Sequence, residues 1–338
     1  MAAILACERL PIFDSATRLA IDYLVTRTRR GLADDGERAT RDFARAMRDR
    51  PIALHPELAN AQHYEVPAEF FALVLGKQRK YSSCLYDTGA QTLDEAELGA
   101  LEASVEHAGL QDGQRILELG CGWGSLSLFM AEKFPTSTII AVSNSRSQRA
   151  HIEAETGKRA LLNLQVLTAD VNDFDTAIQF DRVVSIEMFE HVANWPRLLA
   201  RIRSWLAPEG LFFMHIFSHA RVPYQFDHAD PADWIARHFF TGGIMPSHAL
   251  IREFGELFQV EQEWRWNGRN YQRTAEHWLQ NLSHNEAEVT RLFVPIYGDQ
   301  AKLWTRRWRL FFLATAGLFG HLDGEEWGVS HYLLRPVT

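Results

Sequence analysis

Two short segments carry residue types and spacings that suit chemistry. The first is Arg115-Ile-Leu-Glu-Leu-Gly-Cys-Gly-Trp-Gly-Ser-Leu-Ser-Leu-Phe-Met130. Ile116 to Leu119 reads as a short parallel strand, apolar except for Glu118, and Ser125 to Lys133 as the helix after it. Gly120, Gly122 and Gly124 lack a Cβ, so the backbone between them can turn sharply and approach a ligand closely. A dinucleotide site would want G-x-G-x-x-G around a pyrophosphate. Here the third glycine comes one residue early, and an acid stands two residues ahead of the first. That acid suits a ligand carrying an ammonium, such as the methionine end of S-adenosylmethionine. The competing assignment is an ordinary tight βα turn.

The second segment is Ile186-Glu-Met-Phe-Glu-His-Val-Ala-Asn-Trp195. It places Glu187, Glu190 and His191 directly after a predicted strand. Acids near a helix N-terminus are electrostatically favoured, so a helix cap with an exposed His is the bland alternative. Histidine is the natural acid–base group near neutral pH, and a neighbouring Glu raises its basicity. Ser143, Asn144 and Gln148 follow another strand, where they suit ribose hydroxyls; Gln148 could equally face solvent from a helix. Asp170 suits an adenine amino group, or else a strand-end turn.

The elements that must position these residues are alternating strands and helices. Strands are expected at Ile116–Leu119, Thr138–Val142, Leu164–Thr168, Arg182–Ile186 and Leu211–His215, the last after a turn at Pro208–Gly210. Helices are expected at Ser125–Phe134 and Ser147–Thr156. This pitch indicates a parallel sheet covered on both faces, whose ligands sit at the carboxyl ends of the strands. All the residues above fall at those ends, as does His215. Before the alternation, Ile12–Thr28, His63–Gly76 and Thr92–His107 look helical; Arg29 and Arg30 are either a lipid-facing patch or a solvated helix end. After it, helices are expected at Pro231–Phe240, Ser247–Phe258, Thr274–Asn281 and Lys302–Phe319. Val260–Trp266 and Val329–Leu334 are β-like runs that could close the sheet. The expected division is a helical lid at 1–105, an α/β core at 106–220 and a helical cap with completing strands at 221–338.

Composition narrows the function. The 338 residues are 46% hydrophobic, enough for a large core, and the net charge of −8 gives no global basic field for nucleic acid. Cys7, Cys84 and Cys121 lack the spacing of a zinc site, so no metal is expected, and their sparse odd number suits a reducing, cytoplasmic setting. The longest apolar run, Leu310–Phe319, is half a membrane span, so no stable membrane insertion is expected. A homodimer is open.

Together the motifs Tyr81-Ser82-Ser83-Cys84, Leu117-Glu-Leu-Gly-Cys-Gly-Trp-Gly124, Ser143 with Gln148, and Met188-Phe-Glu-His191 resemble the S-adenosylmethionine-dependent methyltransferases of the cyclopropane fatty acid synthase superfamily. His63-Tyr-Glu-Val-Pro67 and Phe319-Gly-His-Leu-Asp-Gly-Glu-Glu-Trp327, with His331-Tyr-Leu333, look most like the coclaurine N-methyltransferase branch. The resemblance implies a class I (Rossmann-like) methyltransferase core with a mostly parallel seven-stranded sheet, an N-terminal helical lid and a C-terminal helical cap. It implies cofactor contacts from Tyr81, Ser82, Gly120, Gly122, Ser143, Gln148, Asp170 and Val171, to which the residue types add Glu118 and Asn144. It implies catalytic or amine-orienting roles for Tyr64, Glu65, Glu187, Glu190 and His191.

The expected activity is therefore methylation of the nitrogen of a small, apolar or aromatic amine, with Glu190 and His191 as the proton acceptor and the other carboxylates holding the cation. Trp234, Phe239, Phe240, Trp266, Tyr271 and Trp327 are candidate aromatic walls for a cation, or core. The alternative is carbon methylation or cyclopropanation of unsaturated acyl chains. Lipid-cyclopropanating relatives bind bicarbonate through a Cys, a Glu, a His and a Tyr; the positions that match here are Ser83, Glu190, His215 and Tyr271. His215 could instead be a buried strand-end histidine satisfied by carbonyls.

Overall fold

The computed structural model describes residue 8 and residues 13–32, 34–54, 66–230 and 233–337. Tyr64 and Glu65, with the rest of the His63–Glu65 stretch, lie outside the described residues.

Seven strands form one sheet: β1 (Arg115–Leu119), β2 (Thr138–Ser143), β3 (Leu164–Thr168), β4 (Phe180–Ile186), β5 (Leu206–His219), β8 (Phe258–Asn267) and β9 (Trp327–Pro336). Their order is β3-β2-β1-β4-β5-β9-β8. The first five run parallel, while β9 pairs antiparallel with both β5 and β8. Short β6 (Tyr224–Gln225) and β7 (Ile244–Met245) make a separate ribbon. The connection leaves β1 toward β2 on one side and returns to β4 on the other. The switch point, where ligands bind in such sheets, therefore lies between the carboxyl ends of β1 and β4.

Helices α5 (Ser125–Lys133), α6 (Arg146–Lys158) and α7 (Trp195–Trp205) cover the parallel half. Their starts are written in the sequence. Ser145 caps α6 by accepting from Gln148 N, and Asn194 caps α7 by accepting from Arg197 N with Pro196 in the first turn. Upstream, α1 (Asp14–Gly31), α2 (Gly36–Met47), α3 (Ala68–Val74) and α4 (Leu93–His107) build the amino-terminal layer. The Thr92–Glu95 pair forms a full capping box on α4. Downstream, α8 (Trp234–His238), α9 (Arg269–His284), α10 (Glu286–Tyr297) and α11 (Ala301–Gly320) pack over the carboxyl edge of the strands. An aromatic cluster around Phe70, Phe71, Trp278, Trp308 and Phe312 joins α3, α9 and α11 into one core.

Several expectations are corrected. Ser247–Phe258 is not a helix but a turn with a short 3-10 stretch at Leu250–Phe254. Leu250, Ile251 and Phe254 are buried there, so the apolar spacing reports core contact rather than helical continuity. Pro208–Gly210 lies inside β5, at a register shift against β4, and not in a turn before it. Gly210 is needed there because a Cβ would sit 2.8 Å from Phe180 O. In the described residues of His63–Gly76 the helix begins only after Pro67. Helix α10 was not anticipated, and the two β-like runs are full-length strands.

One buried carboxylate ties the amino-terminal layer to the strap that leads into the Tyr81-Ser82-Ser83 motif. Glu97 on α4 accepts from Gly76 N at 2.9 Å, Gln78 N at 2.7 Å and Lys80 N at 3.2 Å. Truncating it strands three backbone donors. Glu97→Ala is expected to lower stability by roughly 2–3 kcal/mol, read as a lower midpoint in thermal unfolding.

Candidate active site

The glycine loop turns through three left-handed residues, Gly120, Gly122 and Gly124, at φ 76°, 52° and 82°. The three glycines have different reasons. A Cβ on Gly120 would strike Met188 and one on Gly124 would strike Ile152, whereas one on Gly122 would meet nothing within 4 Å. Gly122 thus faces open space, which is the cradle a ligand would fill. Gly120 N and Cys121 N both donate to Val142 O, which pins the loop to β2.

Two cavities meet at this loop, and both are lined by Gly120, Gly122, Gln148 and His191. The larger encloses about 950 Å³ and carries Tyr81, Ser82, Glu118, Glu187 and Tyr271 on its walls. The second, about 820 Å³, carries Ser143, Asn144, Asp170 and Val171. Every cofactor-binding candidate named from the sequence therefore lines one cavity or both.

The donors fit S-adenosylmethionine. Gln148 is buried, so it does not face solvent from its helix; it accepts from Ser143 Oγ at 2.6 Å, and its Nε2 has no partner among the described residues. The Ser125 hydroxyl at the start of α5 is likewise buried and unpartnered beside the larger cavity. Asp170 is held by Asn172 N and Nδ2, which leaves its second carboxylate oxygen available at the second cavity. Glu118 is buried beneath the loop with Ser127 Oγ donating to it. Burial pushes its carboxyl up to about 7, so an incoming ammonium would restore its charge.

A second carboxylate on the wall of the larger cavity is Glu187. It sits at φ 45°, a left-handed conformation costly for a residue with a side chain, and its N–H donates to His215 O. Its Oε1 accepts from Ser83 N at 2.8 Å and lies 3.2 Å from His215 Nε2; its Oε2 accepts from the Tyr271 hydroxyl at 2.7 Å. Burial raises its pKa, while Lys80 and the Ser83 and Tyr271 bonds oppose that rise.

Glu190 differs from the sequence expectation. It is fully buried, lines neither cavity, and accepts from Phe217 N at 2.6 Å. Burial and the neighbouring Glu187 raise its pKa well above the ordinary value. The segment holds no more than a three-residue 3-10 turn, Phe189–His191, and only Glu187 of the two acids reaches the cavity wall. The supposed bicarbonate set is also rearranged. Ser83, His215 and Tyr271 converge on the carboxylate of Glu187, and Glu190 stands apart from them. His191 borders both cavities with its ring against Phe240 at 4.4 Å.

Of the aromatic candidates, Tyr271 and Phe240 line the larger cavity. Trp234, Phe239, Trp266 and Trp327 do not, nor does His215; all five are buried behind the walls. Phe239 stacks on Phe311, and Trp327 donates to the Tyr224 hydroxyl. The cavity aromatics that sequence reasoning missed are Trp123, Phe217, Trp278 and Phe311, together with the buried cation Lys80. The last three aromatics come from strand β5 and helices α9 and α11, and no local motif marks them. Cys84 and Cys121 are buried free thiols whose pKa values burial raises. Among the described residues no cluster of side chains could hold a metal, and no helix is long and apolar enough to cross a membrane.

The sheet order, the glycine cradle and the paired cavities define a class I S-adenosylmethionine-dependent methyltransferase. The chain belongs to the family described as mycolic acid cyclopropane synthetase, which it matches over residues 55–322. It is 36% identical over 299 residues to (S)-coclaurine N-methyltransferase of Thalictrum flavum subsp. glaucum, covering 87% of this chain and 83% of that protein. It is 28% identical over 274 residues to cyclopropane-fatty-acyl-phospholipid synthase of Escherichia coli K12, covering 80% and 67%. A crystal structure of coclaurine N-methyltransferase bound to N-methylheliamine and SAH superposes with a TM-score of 0.94 at 32% identity, over 99% of both chains.

Two expectations follow for cofactor binding. Gly122→Val fills the cradle and strains a left-handed position, so calorimetry should show cofactor binding lost. Binding should also depend on Glu118. Its folded pKa lies above the ordinary 4.5, so the free protein loses stability as pH rises from about 4.5 to about 7, by about 3 kcal/mol, and is level above. The ammonium needs the ionised form. The rise in melting temperature caused by cofactor should therefore be larger at pH 8 than at pH 6, and Glu118→Gln should flatten that difference.

Proposed function

We propose that this protein transfers the methyl group of S-adenosylmethionine to the nitrogen of a small amine with an apolar or aromatic body. The observation that carries this is the Glu187 carboxylate, fixed at the cavity wall by Ser83, His215 and Tyr271. Those three groups are the ones that would gather around a bound bicarbonate in a lipid-cyclopropanating relative; here they are occupied by a side chain of the protein itself. The likeness to coclaurine N-methyltransferase, in sequence and over the whole fold, supports the same choice of acceptor.

Bound S-adenosylmethionine supplies an electrophilic methyl group on a sulfonium. The residues of the chain supply the rest. An amine arrives protonated at neutral pH and has no free lone pair. Glu187, raised toward neutrality, takes the proton, with His191 beside it at the junction of the two cavities. General-base assistance of this kind contributes about 10²–10⁴-fold. Trp123, Phe217, Phe240, Trp278 and Phe311 exclude water and present ring faces to the cation, at about 0.5–2 kcal/mol per good contact. Alignment of nitrogen with methyl is worth on the order of 7–11 kcal/mol. Glu190 holds Phe217 N and so shapes the wall. The net charge of −8 and the buried free thiols support a cytoplasmic enzyme of small molecules rather than of nucleic acid.

A mass-spectrometric screen with labelled cofactor tests the class. Label should appear on the nitrogen of heliamine or a similar amine without added bicarbonate. Methylene incorporation into unsaturated phospholipid with a strict bicarbonate requirement would establish the lipid reaction instead.

The carboxylate has its own tests. Glu187→Gln should lower kcat about 10²–10⁴-fold with cofactor affinity nearly unchanged. Tyr271→Phe removes a donor to the charged form and so raises the Glu187 pKa; the rising limb of kcat against pH should move to higher pH.

A further inference from the structure

Behind Glu187 the structure lines up three imidazoles, of which only His215 touches the carboxylate. His215 on β5 lies with Nε2 3.2 Å from Glu187 Oε1. Directly across the β5–β9 ladder its partner is His331, whose ring is 4.4 Å from that of His215 at 33°. His331 Nδ1 is 2.8 Å from Nδ1 of His107, the last residue of α4. His215 and His331 are fully buried, and His107 is half-buried at the carboxyl end of α4, stacked on Trp264 at 3.8 Å. The two remaining buried nitrogens, His215 Nδ1 and His331 Nε2, have no partner among the described residues. A buried polar atom without a partner is costly, and two of them in adjacent rings call for a reason.

We propose that His215, His331 and His107 form a proton exit from Glu187 to solvent at the carboxyl end of α4, outside the substrate cavity. This rests on the N-methylation reading, in which each turnover leaves one proton on Glu187. With amine and cofactor filling the cavities, the front of Glu187 is closed, while its back touches His215.

The N–H bond of the ammonium breaks as an O–H bond forms on Glu187. That O–H breaks as His215 gains a proton at Nε2, and His215 releases its Nδ1 proton to Nε2 of His331. His331 releases its Nδ1 proton to Nδ1 of His107, which gives its Nε2 proton to water. Transfer between His215 and His331 passes through reorientation of the two rings, and the same motion resets the tautomers. Burial lowers the pKa of all three imidazoles, with His107 and Lys80 adding to the effect on His215 and His331, and Glu106 opposing it on His107. No ring is therefore a resting place for the proton, and its uptake by His215 is the uphill step.

The experiment is single-turnover stopped flow on the intact enzyme, with heliamine, saturating cofactor and a pH indicator in weak buffer. Methylated product is quenched and counted in parallel. In the wild type the proton should appear in step with product. In His107→Phe, which keeps a ring on Trp264, and in His331→Phe, proton appearance and steady-state turnover should fall about tenfold. KM and cofactor affinity should hold. Added imidazole should restore His107→Phe, whose lesion is at the surface, but not His331→Phe. Turnover in mixed H2O and D2O should depend on deuterium fraction with curvature in the wild type, from several protons in flight.

Proton release that keeps pace with product in His107→Phe, with unchanged turnover, would overturn the relay. So would a slowed His107→Phe that imidazole fails to restore. His107→Gln is a second surface variant should His331→Phe fail to fold. A wild-type enzyme that transfers no methyl group to any amine would remove the function itself, and with it the source of the proton.

Discussion

The structure is organised around a carboxylate that should not, by itself, be where it is. Glu187 is buried, sits in a left-handed backbone conformation, and has a second buried carboxyl, Glu190, near enough to feel its charge. It is tolerated because separate parts of the chain bring polar partners to it: Ser83 N from the strap after α3, His215 Nε2 from β5, and the Tyr271 hydroxyl from α9. Breaking such a set by removing one partner leaves a charge without compensation, a far larger effect than the bonds themselves contribute. The strap, the central strand and the first turn of α9 must therefore arrive together.

That requirement explains features that look unrelated. Glu97 holds the strap by three backbone donors, and Cys84 N donates to Thr274 Oγ1 on α9, so strap and helix are tied one residue beyond Ser83. Asn270, at the start of the same helix, accepts from Tyr86 N and donates to Asp87. Lys80 lies between Glu97 and Glu187, with Nζ donating to Ser82 Oγ and Ser83 O. Burial disfavours its charge, and the carboxylates of Glu187 and Glu97 oppose that effect. The glycine cradle on the other side of the cavity does not depend on this network; it is set by β1, β2 and the packing of Met188 and Ile152.

The relation to the lipid-modifying members of the family takes on a physical form here. A site that must deprotonate a carbocation deep in an apolar channel benefits from a small, exchangeable base. A site that must deprotonate an ammonium can use a carboxylate on the protein, as long as that carboxylate is held still and kept basic. Glu187, with two donors, His215 Nε2 against it and a raised pKa, meets both conditions, and its side chain occupies the place where these partners meet.

The alternation of strands and helices from residue 115 to 215, the glycine turn with Glu118 ahead of it, and the placing of acids and His191 at a strand end were all legible in the sequence. Each is local: a period or a spacing reads within about ten residues. The sequence did not tell Glu187 from Glu190, because two acids three residues apart are equivalent until a backbone at φ 45° turns one into the cavity and leaves the other behind its wall. It did not reveal that Trp234, Phe239 and Trp327 are core while Phe217, Trp278 and Phe311 face the cavity, since an aromatic side chain is equally apolar in either place. It placed His215 at a strand end, but its neighbours His331 and His107 lie 116 and 108 positions away along the chain. Only the pairing of β5 with β9, and the packing of α4 against that edge, puts the three in line.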